Sequence, residues 1–139
     1  MRKETGFSLI ELLIVVAIIG IIMALAIPGL QKARQYAQSG SAIQSLRTIT
    51  TAENLYDRRF RIYASLVDLA PEGTLAPDLA SGTKGGYDFA LVLSPDAKRF
   101  TITASPQLTT AAYFFTDNTA VIRFNDGAPA DATSPPIPR

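Results

Sequence analysis

The chain of 139 residues contains no cysteine, no histidine and no tryptophan. Without cysteine no disulfide can close a loop, so an exported domain of this sequence has to be held by packing alone. Without histidine the commonest general base and metal ligand is missing, and the scattered Asp and Ser residues form no convergent nucleophile, base or metal set. No enzyme activity, catalytic residue, cofactor or metal is therefore expected. Charge is also sparse, with a net value of +1, and that balance provides no footprint for a nucleic-acid partner.

What the sequence has in abundance is a long apolar run near its start. Phe7 to Gln31 reads FSLIELLIVVAIIGIIMALAIPGLQ, and between Glu11 and Lys32 no charged side chain appears. Leu12 to Gln31 thus matches the roughly 20 residues, at ~1.5 Å each, that cross a bilayer core as a helix. Arg2 and Lys3 precede the run and place the amino terminus in the cytoplasm by the positive-inside rule, with the remainder outside. Glu11 is the exception within the run. A lone carboxylate in a membrane helix costs about 2.5–3.5 kcal/mol on insertion scales, which calls for a partner or for a position among hydrated headgroups.

The run Gly6-Phe7-Ser8-Leu9-Ile10-Glu11, followed by Gly20 and Pro28, resembles the processing signature of type IV prepilins and of type II secretion pseudopilins. The resemblance is dense over residues 1 to about 31 and looser beyond. It implies that a membrane peptidase and methyltransferase cuts after Gly6 on the cytoplasmic side and methylates the new amino terminus at Phe7. Residues 1–6 are then a leader peptide, and their removal leaves 11 basic and 11 acidic side chains. It further implies that Glu11 pairs with the Phe7 amine, in its own chain or in a neighbour, and sets axial register during assembly. The region from Gly20 to Pro28 would bend or locally unwind in the filament. Many type IV pilins close a carboxy-terminal loop with a disulfide, which this chain cannot do.

A competing reading comes from Ala24-Leu25-Ala26, an A-x-A sequence after an apolar run and a basic start, as in a secretory signal peptide. Cleavage after Ala26 would release a small secreted binding domain. Glu11 and the uncharged Phe7 to Ile10 fit poorly in such a signal's basic region, and the apolar pattern continues past Ala26.

After Leu30 the pattern becomes periodic, with Ala33, Ile43, Leu46, Ile49, Tyr56 and Phe60 recurring at three- to four-residue steps against a polar side. A helix from Phe7 to about Phe60, roughly 80 Å long, is expected, with a kink at Pro28 and a second weak point at Gly40. Residues 7–31 form its transmembrane and assembly half; residues 32–61 belong to a globular domain spanning 32–126. Arg58, Arg59 and Arg61 suit a helix carboxy terminus better than a nucleic-acid or lipid patch. Residues 62–86 read as a loop broken by Pro and Gly, with a short helix at Leu66 to Leu69 capped by Ser65.

Residues 87–126 read as four strands in two hairpins. Tyr87, Phe89, Leu91 and Leu93 alternate on one face, as do Phe100, Ile102 and Ala104; a second hairpin joins 113–115 to 120–124 around Asp117-Asn118. Asp117, Asn118 and Asp126 are read as turn formers rather than calcium ligands. The fold class is α+β and pilin-like: one long amino-terminal helix on a four-stranded antiparallel sheet. Residues 127–139, with four prolines, read as a flexible tail.

The function expected is a structural subunit of a type IV pilus or pilin-like filament, with a type II secretion or competence pseudopilin as the alternative. Its expected partners are copies of itself in a helical filament, the prepilin peptidase, an inner-membrane assembly platform and the membrane before assembly. A single-pass protein of the bacterial inner membrane would become an extracellular or periplasmic filament.

Overall fold

The computed structural model describes residues 6–71, 73–108 and 110–138, in two compact units that divide after Tyr36. Helix α1 (Leu9–Phe60) begins in the first and ends in the second. Its start lies two residues later than the apolar pattern alone indicates. It runs as one helix through Gly20, Pro28 and Gly40, although Pro28 has no N–H to donate to the carbonyl four residues back. A methyl group added at Gly20, Gly29 or Gly40 would meet no atom within 4 Å, so no close contact with the sheet explains Gly40. Gly40→Ala is expected to raise stability by about 1 kcal/mol through helix propensity alone, measurable as an upward shift in melting temperature.

In the first unit every described residue up to Arg34 is exposed. The second unit holds the core. Ala42, Leu46, Ile49 and Ala52 form the buried stripe of α1, at the three- and four-residue steps that keep one helix face inward. They pack with Tyr87, Phe89, Phe100, Ile102, Ala104 and Phe114 of the sheet. Two short helices, α2 (Leu66–Leu69) and α3 (Pro77–Ala80), add Leu69 and Leu79 to this core. Ser65 caps α2 by accepting the Asp68 N–H at 3.3 Å, as its position predicts. Helix α3 lies in the stretch read as loop, because Pro77 breaks a preceding helix but is well suited to the first position of a new one.

The sheet has five strands rather than the expected four: β1 (Thr83–Lys84), β2 (Tyr87–Leu93), β3 (Phe100–Pro106), β4 (Ala112–Asp117) and β5 (Arg123–Asp126), ordered β1-β2-β3-β4-β5 and antiparallel throughout. The β2–β3 hairpin runs in register from Leu93↔Phe100 to Tyr87↔Pro106, and Tyr87, Phe89, Phe100, Ile102 and Ala104 point inward as the alternation requires. The additional strand arises from Gly85-Gly86, which join β1 to β2 as a two-residue turn with φ of 60° and 82°. Such turns need positive φ at both central residues, so Gly-Gly is a hairpin signal as well as a chain breaker. A Cβ on Gly86 would also lie 2.8 Å from the Gln38 side chain. Gly86→Ala is therefore expected to lower stability by roughly 1–2 kcal/mol, since left-handed backbone alone disfavours a side chain by that amount; a denaturant midpoint at or above wild type would contradict this.

The carboxy-terminal segment also departs from expectation. Residues 127–138, read as a flexible tail, fold back along β5: Ala130 and Ser134 are buried, Arg123 pairs with Pro136, and Ile137 donates to the Ile122 carbonyl at 3.0 Å. Proline content was read as an inability to pack. Proline's fixed φ is in fact compatible with an edge strand, where a missing N–H does no harm on the solvent side.

Candidate functional site

The start of α1 shows how the sequence shapes this region. The Ser8 backbone N–H donates to Glu11 Oε2 at 3.3 Å, and the Leu12 N–H donates to the Ser8 carbonyl at 3.2 Å. Ser8 thus stands at the N-cap and Glu11 at the third helical position, the S-x-x-E arrangement of a capping box. The carboxylate covers one of the orphan donors of the first turn and lies at the positive end of the helix dipole. This local role escaped the sequence reading, although the Ser8-Leu9-Ile10-Glu11 spacing carries it. Phe7 precedes the cap with 73% of its surface exposed, and Gly6 is exposed beside it. Arg2, Lys3 and the rest of residues 1–5 lie outside the described residues.

From Leu9 to Leu30 the helix presents apolar side chains on all sides, none of them buried. Leu9, Ile10, Ile21 and Leu25 each expose well over half of their surface. Such a contiguous apolar surface marks a membrane or protein contact, and this helix is long and apolar enough to cross a membrane. The expected site residues are brought together only in part. Gly6, Phe7 and Glu11 lie within one turn of the helix start, whereas Gly20 stands about 13 Å from Glu11 along the axis and Pro28 a further ~12 Å. They are stations on one rod rather than a pocket.

The second unit holds a carboxylate that sequence reasoning missed. Glu53 falls in the series Ala42, Leu46, Ile49, where an apolar residue is expected, and is fully buried. Its Oε2 accepts the Ala64 N–H at 3.0 Å, while Oε1 is buried with no hydrogen-bond partner among the described residues. Burial pushes the carboxyl pKa up to about 7, against a smaller opposing effect of the Ala64 hydrogen bond. Tyr63 beside it has its hydroxyl pKa raised, first by burial and then by the charges of Asp57 and Glu53. A charged residue on the buried stripe of an amphipathic helix was the available sequence signal.

The end of α1 and the turns behave as structural features. Arg58 and Arg59 occupy the last helical turn, where cations favour the dipole, and the Arg59 guanidinium lies 5.1 Å from the Phe60 ring centre. Asp117 Oδ1 accepts the Thr119 N–H at 2.8 Å and so shapes the β4–β5 turn. Among the described residues no three acidic side chains gather as a metal site.

Comparison with known proteins places these features. The family described as "Prokaryotic N-terminal methylation motif" matches residues 1–27. The type IV major pilin protein PilA of Myxococcus xanthus is 38% identical over 73 residues, covering 50% of this chain and 33% of the relative. The type II secretion system core protein G of Aeromonas hydrophila is 29% identical over 90 residues, covering 62% of this chain and 63% of its own length. The type IV major fimbrial protein FimA of Dichelobacter nodosus is 50% identical over 56 residues, 39% of this chain and 35% of the relative. The matched part of the chain thus spans between one-third and just under two-thirds of these relatives. The class is pilin-like: an apolar amino-terminal helix joined to an antiparallel sheet. The chain is similar to type IV major pilins and to type II secretion core protein G, and its residues 1–27 match the amino-terminal methylation motif.

Proposed function

We propose that this chain is a structural subunit of a type IV pilus or pilin-like filament, cut after Gly6, methylated at Phe7 and polymerised through the apolar part of α1. The observation that carries the reading is the exposed apolar segment of α1 up to Leu30, which follows directly on Gly6-Phe7 and contains Glu11. Before assembly its apolar surface faces lipid in the inner membrane; afterwards it faces the same segment of neighbouring copies, so little apolar surface need meet water on the way. In that core Glu11 and the Phe7 amine of a neighbour attract strongly because the dielectric is low, while the desolvation of both charges is costly, so that a Glu11 or an amine left without its partner is strongly disfavoured. Gly20 and Pro28 supply the places where the helix can bend when subunits pack. The prepilin peptidase and an inner-membrane assembly platform are the partners this route requires, and no catalytic role is assigned to the chain itself.

A pseudopilin is the second reading. The 90-residue match to core protein G is longer than the 60 residues that end at Phe60, so it includes part of the sheet domain. A competence pseudopilin is a variant of the same reading. Shearing cells that express the chain separates the two: fibres in the sheared surface fraction that carry this chain are the result for a pilus, and fibres confined to the periplasm are the result for a pseudopilus. Absence of fibres in both, with the chain dispersed as a soluble protein, would overturn the filament reading and favour release after Ala26.

A further inference from the structure

A sheet of five strands has two edges, and each edge offers unpaired N–H and C=O groups to another chain. In this domain both edges are protected, each in a different way. On one side β1 is two residues long, and its Lys84 forms an ion pair with Asp78 at 3.5 Å. A strand that short, carrying a lysine, is a poor template for a second chain.

The other edge is closed by the carboxy terminus. The Phe124 N–H donates to the Pro135 carbonyl, and the Ile137 N–H to the Ile122 carbonyl, each at 3.0 Å. Arg123 and Pro136 face each other between these two bonds as an antiparallel pair, and Arg123 Nη1 donates to the Ser134 carbonyl at 2.9 Å. Since alternate residues of a strand turn their backbone groups to opposite sides, 135 and 137 face β5, while 136 and 138 face away. Both outward positions are proline and carry no N–H. The Ser134 N–H is used within its own turn, on the Asp131 carbonyl at 3.2 Å and Asp131 Oδ1 at 3.0 Å. The added strand therefore takes up the Phe124 N–H and the Ile122 carbonyl on this edge, and at its outward positions Pro136 and Pro138 present no N–H to a further chain.

We propose that Ser134–Pro138 is an edge-closing strap that denies β5 to the same edge of a second copy and so leaves α1 as the element through which copies associate. The meaning for assembly rests on the filament reading; the closure of the edge does not. Monomers crowded in a membrane or along a fibre are held at high local concentration, where an open β edge would add a second, competing mode of association.

The test uses the full chain in detergent and two variants. One ends at Gly127. The other, Pro136→Val with Pro138→Val, keeps the strap and restores outward donors. Both are expected to self-associate at about tenfold lower concentration than wild type, with an infrared band of intermolecular β structure. If truncation unfolds the domain, the double substitution decides alone, since it retains Ala130, Ser134 and Ile137. A double variant that melts like wild type and remains monomeric would overturn the strap. Loss of fibres from an otherwise wild-type chain would instead overturn the filament reading and leave the strap standing.

Discussion

Glu11→Ala is expected to insert in the membrane normally and to yield almost no filament. Insertion is eased by removing a carboxylate from an apolar helix, by up to about 2.5–3.5 kcal/mol. Assembly loses the partner of the neighbouring Phe7 amine, and breaking a buried pair from one side costs roughly 3–5 kcal/mol, which is on the order of a hundredfold to several thousandfold in the subunit concentration needed to polymerise. The structure makes a sharper comparison possible, because Glu11 also caps its own helix through the Ser8 N–H. Glu11→Gln retains a side-chain oxygen at the third helical position and so keeps the capping box, but carries no charge. If pairing with the amine sets the register, Gln fails as Ala does. Normal fibre yield from the Gln variant would show that capping, not charge, is what assembly needs from this residue.

The second large effect concerns Glu53. Its folded-state pKa of about 7 lies above the ordinary value of 4.5, so the folded domain holds this proton more tightly than the unfolded chain does. The domain consequently loses stability as pH rises from about 4.5 to about 7, and the loss is complete above that range. A rise of that size corresponds to about 3 kcal/mol, at about 1.36 kcal/mol per tenfold change in proton affinity. Asp96 and Asp131 work in the opposite sense, being held below the usual carboxylate range by their hydroxyl and backbone partners; their contribution is present at neutral pH and is lost only in stronger acid. Denaturant midpoints of the full chain in detergent, taken between pH 4.5 and 8, are expected to fall for wild type. They are expected to change far less for Glu53→Gln, which stays neutral and can still accept the Ala64 N–H. Parallel profiles for the two proteins would contradict the assignment.

The elements legible in the sequence were those whose pattern is carried by many residues. The apolar run of α1, its change to a three- and four-residue period after Leu30, and the alternation of Tyr87, Phe89, Phe100 and Ile102 each repeat a signal several times, and each is present in the structure. Features resting on one or two residues were harder to see. Gly85-Gly86 and Pro77 were read as interruptions because the same residues that end one element also begin another. Glu53 gave a single sign of its burial, its place four residues after Ile49 on the inward stripe, and one charged residue in an apolar series is easily passed over. The strap of Ser134–Pro138 was hidden for a related reason: an edge strand without donors has no propensity of its own and is defined by β5 beside it. Of the proposed assembly residues, Glu11 was legible as an anomaly of charge, while its bond to the Ser8 N–H emerged from the geometry of the helix start.

The most direct test of the filament account is the intact mass and amino-terminal sequence of the chain recovered from its native cell. The account predicts a mature protein that begins at a methylated Phe7 and retains the whole apolar segment. A protein that begins at Ile27 would contradict it, because the helix surface from Phe7 to Ala26 and the charge of Glu11 would then be discarded before any assembly could use them.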